Sequence, residues 1–120
     1  MTPSAMVTDF ASIMAKTQPR VLPLEGEIDL HVSPQIGASL ANLIAAKPSK
    51  VVVDLSSVGY VDSATIGCLM DLYRQANAAG GALKLAGVQK RVETMLTMTG
   101  AQNFIEVHPD EPSAVKSFGA

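Results

Sequence analysis

Residues 51–73, VVVDLSSVGYVDSATIGCLMDLY, decide the fold of this chain. The valine-rich start is too short for a helix and predicts a strand buried on both faces at the centre of a sheet. From Ser63 onward the apolar side chains recur at helical spacing, so a helix follows the strand directly. The predicted buried face of this helix consists of Ile66, Leu69, Met70, Tyr73 and Ala76.

The sequence before this stretch predicts a leader and two strands. Residues 1–9 are small and polar and are expected to form a flexible leader, which leaves 10–120 as one folded domain. Strand-like segments lie around Phe10–Ala15 and Arg20–Leu24, with TQP between them as a hairpin connection. Pro23 has no amide to donate to a ladder, which indicates an edge strand or an irregularity there.

Further helices and strands alternate along the chain. Ser33 and Pro34 are suited to start a helix, which is predicted to end before Lys47-Pro48, and glycines are suited to end the later helices. The order predicts an α/β fold, a single domain with a mixed sheet of about five strands and about four helices. The remaining predicted elements are the strand ALKLAG (82–87), the helix VQKRVETMLTMTG (88–100), the strand NFIEVH (103–108) and a short helix in PDEPSAVKSF (109–118) that starts at Pro109.

Composition narrows the possible functions. The net charge of the 120 residues is -2, and Lys and Arg are scattered, which disfavours direct nucleic-acid binding. No apolar run reaches the roughly 18 residues of a membrane span, so no membrane association is expected. The lone Cys68 lies in an apolar helical pattern and is interpreted as a buried thiol, which fits a cytoplasmic protein.

Asp62 and Ser63 form the candidate site. They follow the predicted central strand and precede a helix, which is where open α/β sheets carry ligand or reaction sites. Ser63 is suited to be the N-cap of that helix, and the helix dipole favours Asp62 beside it. The alternatives are that Ser63 is a nucleophile or a regulatory switch.

A catalytic, metal or nucleotide site is poorly supported. A serine nucleophile needs a base, and the chain has only His31 and His108, while DSATIG differs from the G-x-S-x-G motif of α/β hydrolases. Two distant histidines and one cysteine lack zinc-ligand spacing, and Asp54 with Asp62 has no third carboxylate nearby for a metal. No glycine-rich phosphate loop is present, so no catalytic residue, metal or cofactor is expected.

Four motifs in a consistent order resemble the STAS domain of anti-sigma factor antagonists. The family pattern runs G-E-L-D, then D-L-S-x-V-x-x-x-D-S-[ST]-G-[LI]-G, then G-G and a late M-[ST]-G. The resemblance covers roughly residues 10 to 118 and is specific as a set. The matching segments are GEIDL (26–30), VVVDLSSVGYVDSATIGCLMDLY (51–73), GGALKLAGV (80–88) and MLTMTGAQNFIEV (95–107).

The resemblance implies a switch at Ser63. In the family, the serine after the aspartate is phosphorylated by a partner anti-sigma factor that is also a serine kinase. The unphosphorylated form binds that kinase and releases the sigma factor, and a serine phosphatase resets the phosphorylated form. The protein itself then performs no chemistry and needs no cofactor. The alternative is a constitutive STAS subunit of a lipid-transport ATPase or of a stress-sensing scaffold complex.

The chain departs from the family pattern after Ser63. Ala64 stands where Ser or Thr is usual, and Thr65 replaces a glycine, which leaves Ser63 the clearer acceptor and adds a side chain at the helix start. By resemblance, the residues expected to contact the partner are Glu27, Asp29, His31, Asp62, Ala64 and Thr65.

Overall fold

The structure is a computed structural model that describes residues 19–29, 33–45 and 50–119. Strands and helices alternate along it, so the predicted α/β class and number of helices are confirmed. In chain order the elements are β1 (Arg20–Ile28), α1 (Ser33–Ala45), β2 (Lys50–Val61), α2 (Ser63–Ala78), β3 (Ala82–Ala86), α3 (Lys90–Thr99), a 3₁₀ turn (Ala101–Asn103), β4 (Val107–His108) and α4 (Glu111–Lys116).

The described strands form one sheet in the order β1-β2-β3-β4, and all neighbouring pairs are parallel. This part of the sheet has four strands, whereas the sequence predicts a mixed sheet of about five. The additional strand, around Phe10–Ala15, and the leader 1–9 lie outside the described residues. The predicted irregularity at Pro23 is confirmed, because the β1–β2 register shifts between Pro23 and Glu25.

The central position of β2 explains its valine-rich sequence. Val51, Val53 and Leu55 are buried in the main core with side chains of α1, α2 and α3. Val52 points to the opposite face and is buried with Ala86 and the α4 residue Ala114. Burying one such side chain contributes roughly 1.5–3 kcal/mol, so the predicted two-sided burial of this strand is a large part of the core energy.

The buried face of α2 differs from the prediction at four positions. Met70 and Tyr73 are only half-buried, whereas Leu72 and Thr65 are buried. The reason is that residues 65, 69, 72 and 76 follow one helical stripe, which runs slightly to one side of the predicted one.

The C-terminal segments are less regular than predicted. NFIEVH was expected to be one strand, but β4 contains only Val107 and His108, and a 3₁₀ turn occupies Ala101–Asn103. Phe104 lies between this turn and β4 and is 60% exposed, so its side chain is not buried against the sheet as the predicted strand would require. The last helix is capped by Asp110 rather than started by Pro109, because the Asp110 carboxylate accepts a hydrogen bond from the Ser113 amide.

The two halves of β2 have different neighbours. Its pairing with β3 ends at Asp54, whereas its pairing with β1 continues to Val61. The segment 55–61 therefore extends past β3 and carries the chain to the start of α2 at the carboxyl edge of the sheet.

Candidate functional site

Ser63 is the first residue of α2 and lies immediately beyond the carboxyl end of the central strand. Its side chain and that of Ala64 are exposed, whereas Asp62 is half-buried and Thr65 is buried. In the part of the chain that the structure describes, the Ser63 hydroxyl makes no hydrogen bond. The hydroxyl is therefore accessible at the surface and has no structural role in the described contacts.

The N-cap of α2 is Asp62, which corrects the prediction that Ser63 caps this helix. Asp62 has extended backbone angles (φ -89°, ψ 170°), and its Oδ1 accepts a hydrogen bond from the Thr65 amide at 2.8 Å. Asp and Ser are comparably good caps, so the sequence alone does not distinguish two adjacent ones. The one-residue shift releases Ser63 from capping.

Thr65 contributes a second hydrogen bond to the same carboxylate oxygen. Its Oγ1 donates to Asp62 Oδ1 at 2.6 Å, a distance typical of a hydroxyl bound to an ionised carboxylate. Only 3% of Thr65 is exposed, and the other buried polar residue among those described is Lys84. The sequence flagged Thr65 as a departure from the family pattern but did not place its hydroxyl on Asp62.

The acidic end of β1 lies beside the start of α2. The Asp62 amide donates to the Ile28 carbonyl at 3.2 Å, and Ile28 pairs in register with Val61. Glu27 and Asp29, on either side of Ile28, are both exposed. The structure thus brings these two predicted residues to the Asp62-Ser63 turn, while His31 lies outside the described residues.

The start of α3 covers the other side of the β2 extension. The Arg91 guanidinium lies 5.3 Å from the centre of the Tyr60 ring. The side-chain amide of Gln89 donates through Nε2 to the Ser56 backbone carbonyl at 2.7 Å. Sequence reasoning did not select these residues. Helices that follow parallel strands all begin at the carboxyl edge, and this rule indicates that the starts of α2 and α3 share an edge.

Gly87 allows this close approach of α3 to the β2 extension. Its φ is +66°, and a β-carbon at this position would lie 2.8 Å from the Ser56 β-carbon. The turn between β3 and α3 therefore requires glycine for both backbone conformation and space.

The geometry gives no support for covalent catalysis by Ser63. His108 lies in β4, with β3 between it and β2, and its ring is hydrogen-bonded to Glu106 at 3.1 Å. The described residues contain no group of three or more His, Cys, Asp or Glu side chains able to hold a metal ion. None of the helices among these residues is both long and apolar enough to cross a membrane.

Residues 12–114 match the family model of the STAS domain. The chain is 24% identical over 96 residues to the anti-sigma F factor antagonist of Paenibacillus polymyxa, an alignment that covers 79% of this chain and 82% of that protein. It is 26% identical over 93 residues to the anti-sigma-B factor antagonist of Bacillus subtilis, covering 78% and 84% of the two chains.

Among solved structures, the chain is similar to the anti-sigma factor antagonist SpoIIAA in its unphosphorylated form. The TM-score is 0.70 at 22% identity, and the superposition covers 81% of this chain and 84% of that one. A Bacillus SpoIIAA solved in its phosphorylated form is also similar, with a TM-score of 0.62 at 21% identity over 81% of this chain and 87% of that one. At this identity the likeness shows a shared fold.

Proposed function

Because the chain belongs to the STAS domain family, we propose that it is an anti-sigma factor antagonist that works by partner switching. The unphosphorylated form binds an anti-sigma factor that is also a serine kinase, and the sigma factor is released. Phosphorylation of Ser63 by that kinase ends the binding, and a serine phosphatase restores the first state. The protein acts in the cytoplasm through binding and performs no catalysis.

The observation that carries this proposal is the state of the Ser63 side chain. It is exposed at the first residue of α2, and the cap of that helix is supplied by Asp62 instead. A kinase can therefore reach the hydroxyl without opening the helix. The names of the relatives support the same function, and SpoIIAA is a relative of this fold known in phosphorylated and unphosphorylated forms.

Electrostatics explain how one phosphate changes partner binding. Phosphorylation adds about -1.5 to -2 charges at neutral pH. The start of the 16-residue helix α2 tolerates an anion, so the folded state accepts the modification. The same surface already carries the Glu27, Asp29 and Asp62 carboxylates, so the phosphate strengthens an existing negative region. A partner surface that fits the unmodified region has no group to compensate the phosphate. Binding the phosphorylated form then requires removing water from an uncompensated charge, which weakens the complex.

The exposed residues around Ser63 form the proposed docking surface. We define it as Glu27, Asp29, Ser63 and Ala64, with the Asp62 carboxylate at its inner margin. The small Ala64 side chain leaves the serine unobstructed. Thr65 was predicted to contact the partner, but with only 3% of the residue exposed it lies beneath this surface rather than on it.

The proposal is tested by phosphorylation and by binding measured on the same preparations. The protein is incubated with Mg-ATP and each candidate anti-sigma kinase from its own cell, and intact-mass spectrometry counts the phosphates. We expect one phosphate on the wild type and none on Ser63→Ala. Calorimetry with the kinase is expected to show affinity at least about a hundredfold weaker for the phosphorylated protein, which corresponds to a loss of roughly 2.7 kcal/mol.

Ser57→Ala is the matched control, because Ser57 is another exposed serine of the same strand-to-helix region. It should accept one phosphate, as the wild type does. A phosphate that persists on Ser63→Ala would assign the switch to another residue. If none of the kinases phosphorylates the protein and it binds stably to a transporter or scaffold complex, the switch is rejected. The protein would then be a constitutive subunit of that complex.

A further inference from the structure

We propose that Thr65 is a positioning residue for the modification of Ser63. Its buried hydroxyl holds the Asp62 carboxylate on the inner side of the helix start, so that the Ser63 hydroxyl stays free to accept the phosphoryl group. This inference rests on the proposed function and assigns a regulatory role to a residue that has no contact with the partner.

Two donors of the same residue converge on one oxygen of Asp62. The Thr65 amide lies 2.8 Å and the Thr65 Oγ1 lies 2.6 Å from Asp62 Oδ1. The amide alone is enough to make a cap, and a glycine at position 65 would still provide it. The hydroxyl adds a charge-assisted bond in a place that water hardly reaches, since Thr65 is only 3% exposed.

The second helix with an aspartate cap provides an internal comparison. In α4, the Ser113 amide donates to Asp110 Oδ1 at 2.8 Å, which repeats the Asp-x-x-hydroxyl spacing of Asp62 and Thr65. Hydrogen bonds from the Ser113 backbone and side chain lower the pKa of Asp110. At Asp110 the amide bond is the larger cause of the lowered pKa, and the serine side chain adds to it. At α2 the donor residue Thr65 is buried and Asp62 is half-buried, so water competes less for this carboxylate than for the exposed Asp110.

The position of the carboxylate matters because Ser63 is its chain neighbour. In the transfer step, Ser63 Oγ forms a bond to the γ-phosphorus of the nucleoside triphosphate while the bond to the β,γ-bridging oxygen breaks and the nucleoside diphosphate leaves. The hydroxyl proton passes to a base of the kinase. A carboxylate that rotates outward would accept the Ser63 hydrogen in competition with that base and would bring negative charge closer to the incoming phosphate.

The test is steady-state phosphorylation of three variants by the partner kinase. Thr65→Val keeps the branched shape and the amide but removes the hydroxyl, and we expect its kcat to fall about tenfold with KM unchanged, because the exposed docking surface is retained. Thr65→Ser restores a hydroxyl and is expected to recover most of the rate. Thr94→Val is the matched control, since the Thr94 hydroxyl donates to the Lys90 carbonyl on the exposed face of α3.

A second readout uses the free protein without the kinase. Three-bond couplings measured by NMR are expected to show one χ1 rotamer of Asp62 in the wild type and Thr65→Ser, and a lower population of that rotamer in Thr65→Val, where the amide at position 65 remains a donor. An unchanged kcat or a single Asp62 rotamer in Thr65→Val would overturn the inference, with the proposed function intact. A wild type that no kinase phosphorylates would overturn the proposed function and the inference together.

Discussion

The assignment of the α2 cap to Asp62 makes a quantitative prediction for two adjacent alanine substitutions. Asp62→Ala removes the acceptor of the Thr65 amide, a capping bond worth about 1 kcal/mol. It also leaves the buried Thr65 hydroxyl without its acceptor, which costs about a further 1–2 kcal/mol. The expected loss in the free energy of unfolding is therefore about 2–3 kcal/mol.

Ser63→Ala should behave differently because the serine is exposed and its hydroxyl is not bonded within the described residues. Alanine is also the better helix former at this position, so the expected change is within about 0.5 kcal/mol. Asp62→Asn retains an acceptor for both donors of Thr65 and should cost only about 1 kcal/mol or less.

The free energy of unfolding of all three variants is measured by urea denaturation, with circular dichroism as the signal. The values are compared only if the variants have equal m-values. The reasoning is refuted if Ser63→Ala loses more than about 1 kcal/mol while Asp62→Ala loses less than about 0.5 kcal/mol, since that order identifies Ser63 as the cap. Equal losses in both variants would show that the hydroxyl of Ser63 shares the capping role.

Two further predictions concern other parts of the molecule. The Lys84 ammonium lies 2.8 Å from Ser117 Oγ and 3.3 Å from Glu106 Oε2, and 4.3 Å from the Phe118 ring centre. Lys84→Ala should lose roughly 2–3 kcal/mol of unfolding free energy because the buried stem of Lys84 packs between these groups. Glu106→Gln should lose under about 0.5 kcal/mol because this side chain is 60% exposed. Urea denaturation would contradict this reasoning if Glu106→Gln cost as much as Lys84→Ala. Cys68 is half-buried rather than buried as predicted, and this partial burial and, to a lesser degree, the Asp71 carboxylate raise the pKa of its thiol. Iodoacetamide at pH 8 should therefore alkylate the folded chain more slowly than the unfolded one. Asp71→Asn should speed that alkylation because it increases the thiolate fraction, and an unchanged or slower rate would contradict the assigned cause.

The elements that sequence predicts well are those fixed by strong local signals. The run of valines in 51–53 specifies a strand buried on both sides, and this position at the centre of the sheet is confirmed. Gly80 and Gly100, near the ends of α2 and α3, both have positive φ, as their predicted role as helix ends requires. Each of these signals is local, because it depends on residues adjacent in the chain.

The features that sequence misses depend on small differences or on distant contacts. An apolar-only pattern favoured Met70 and Tyr73 for the buried face of α2 and passed over Thr65, because a polar side chain is buried only where a partner such as Asp62 satisfies it. The contact of Arg91 with Tyr60 joins residues 31 positions apart, and only the folded sheet brings them together.

At two helices the capping residue differs from the prediction in the same way, although α2 begins at Ser63 as predicted. In DSATIG and in PDEPS, an aspartate stands next to another residue suited to begin a helix, Ser63 or Pro109. In both helices the aspartate is the cap, and its carboxylate accepts from the amide three residues later. Capping strengths of Asp and Ser are too similar for sequence to decide, but a hydroxyl residue at the third position adds a donor and favours the aspartate.

This division of roles at the start of α2 suits a modification switch. The inward pair, Asp62 and Thr65, holds the helix start, while the outward pair, Ser63 and Ala64, faces the solvent. If Ser63 were the cap, each phosphorylation would alter a bond worth about 1 kcal/mol in a domain whose total stability is on the order of 5–15 kcal/mol. With Asp62 as the cap, a phosphate on Ser63 leaves the bonds from Thr65 to Asp62 in place, and under the proposed function its charge acts on the partner that approaches Ser63.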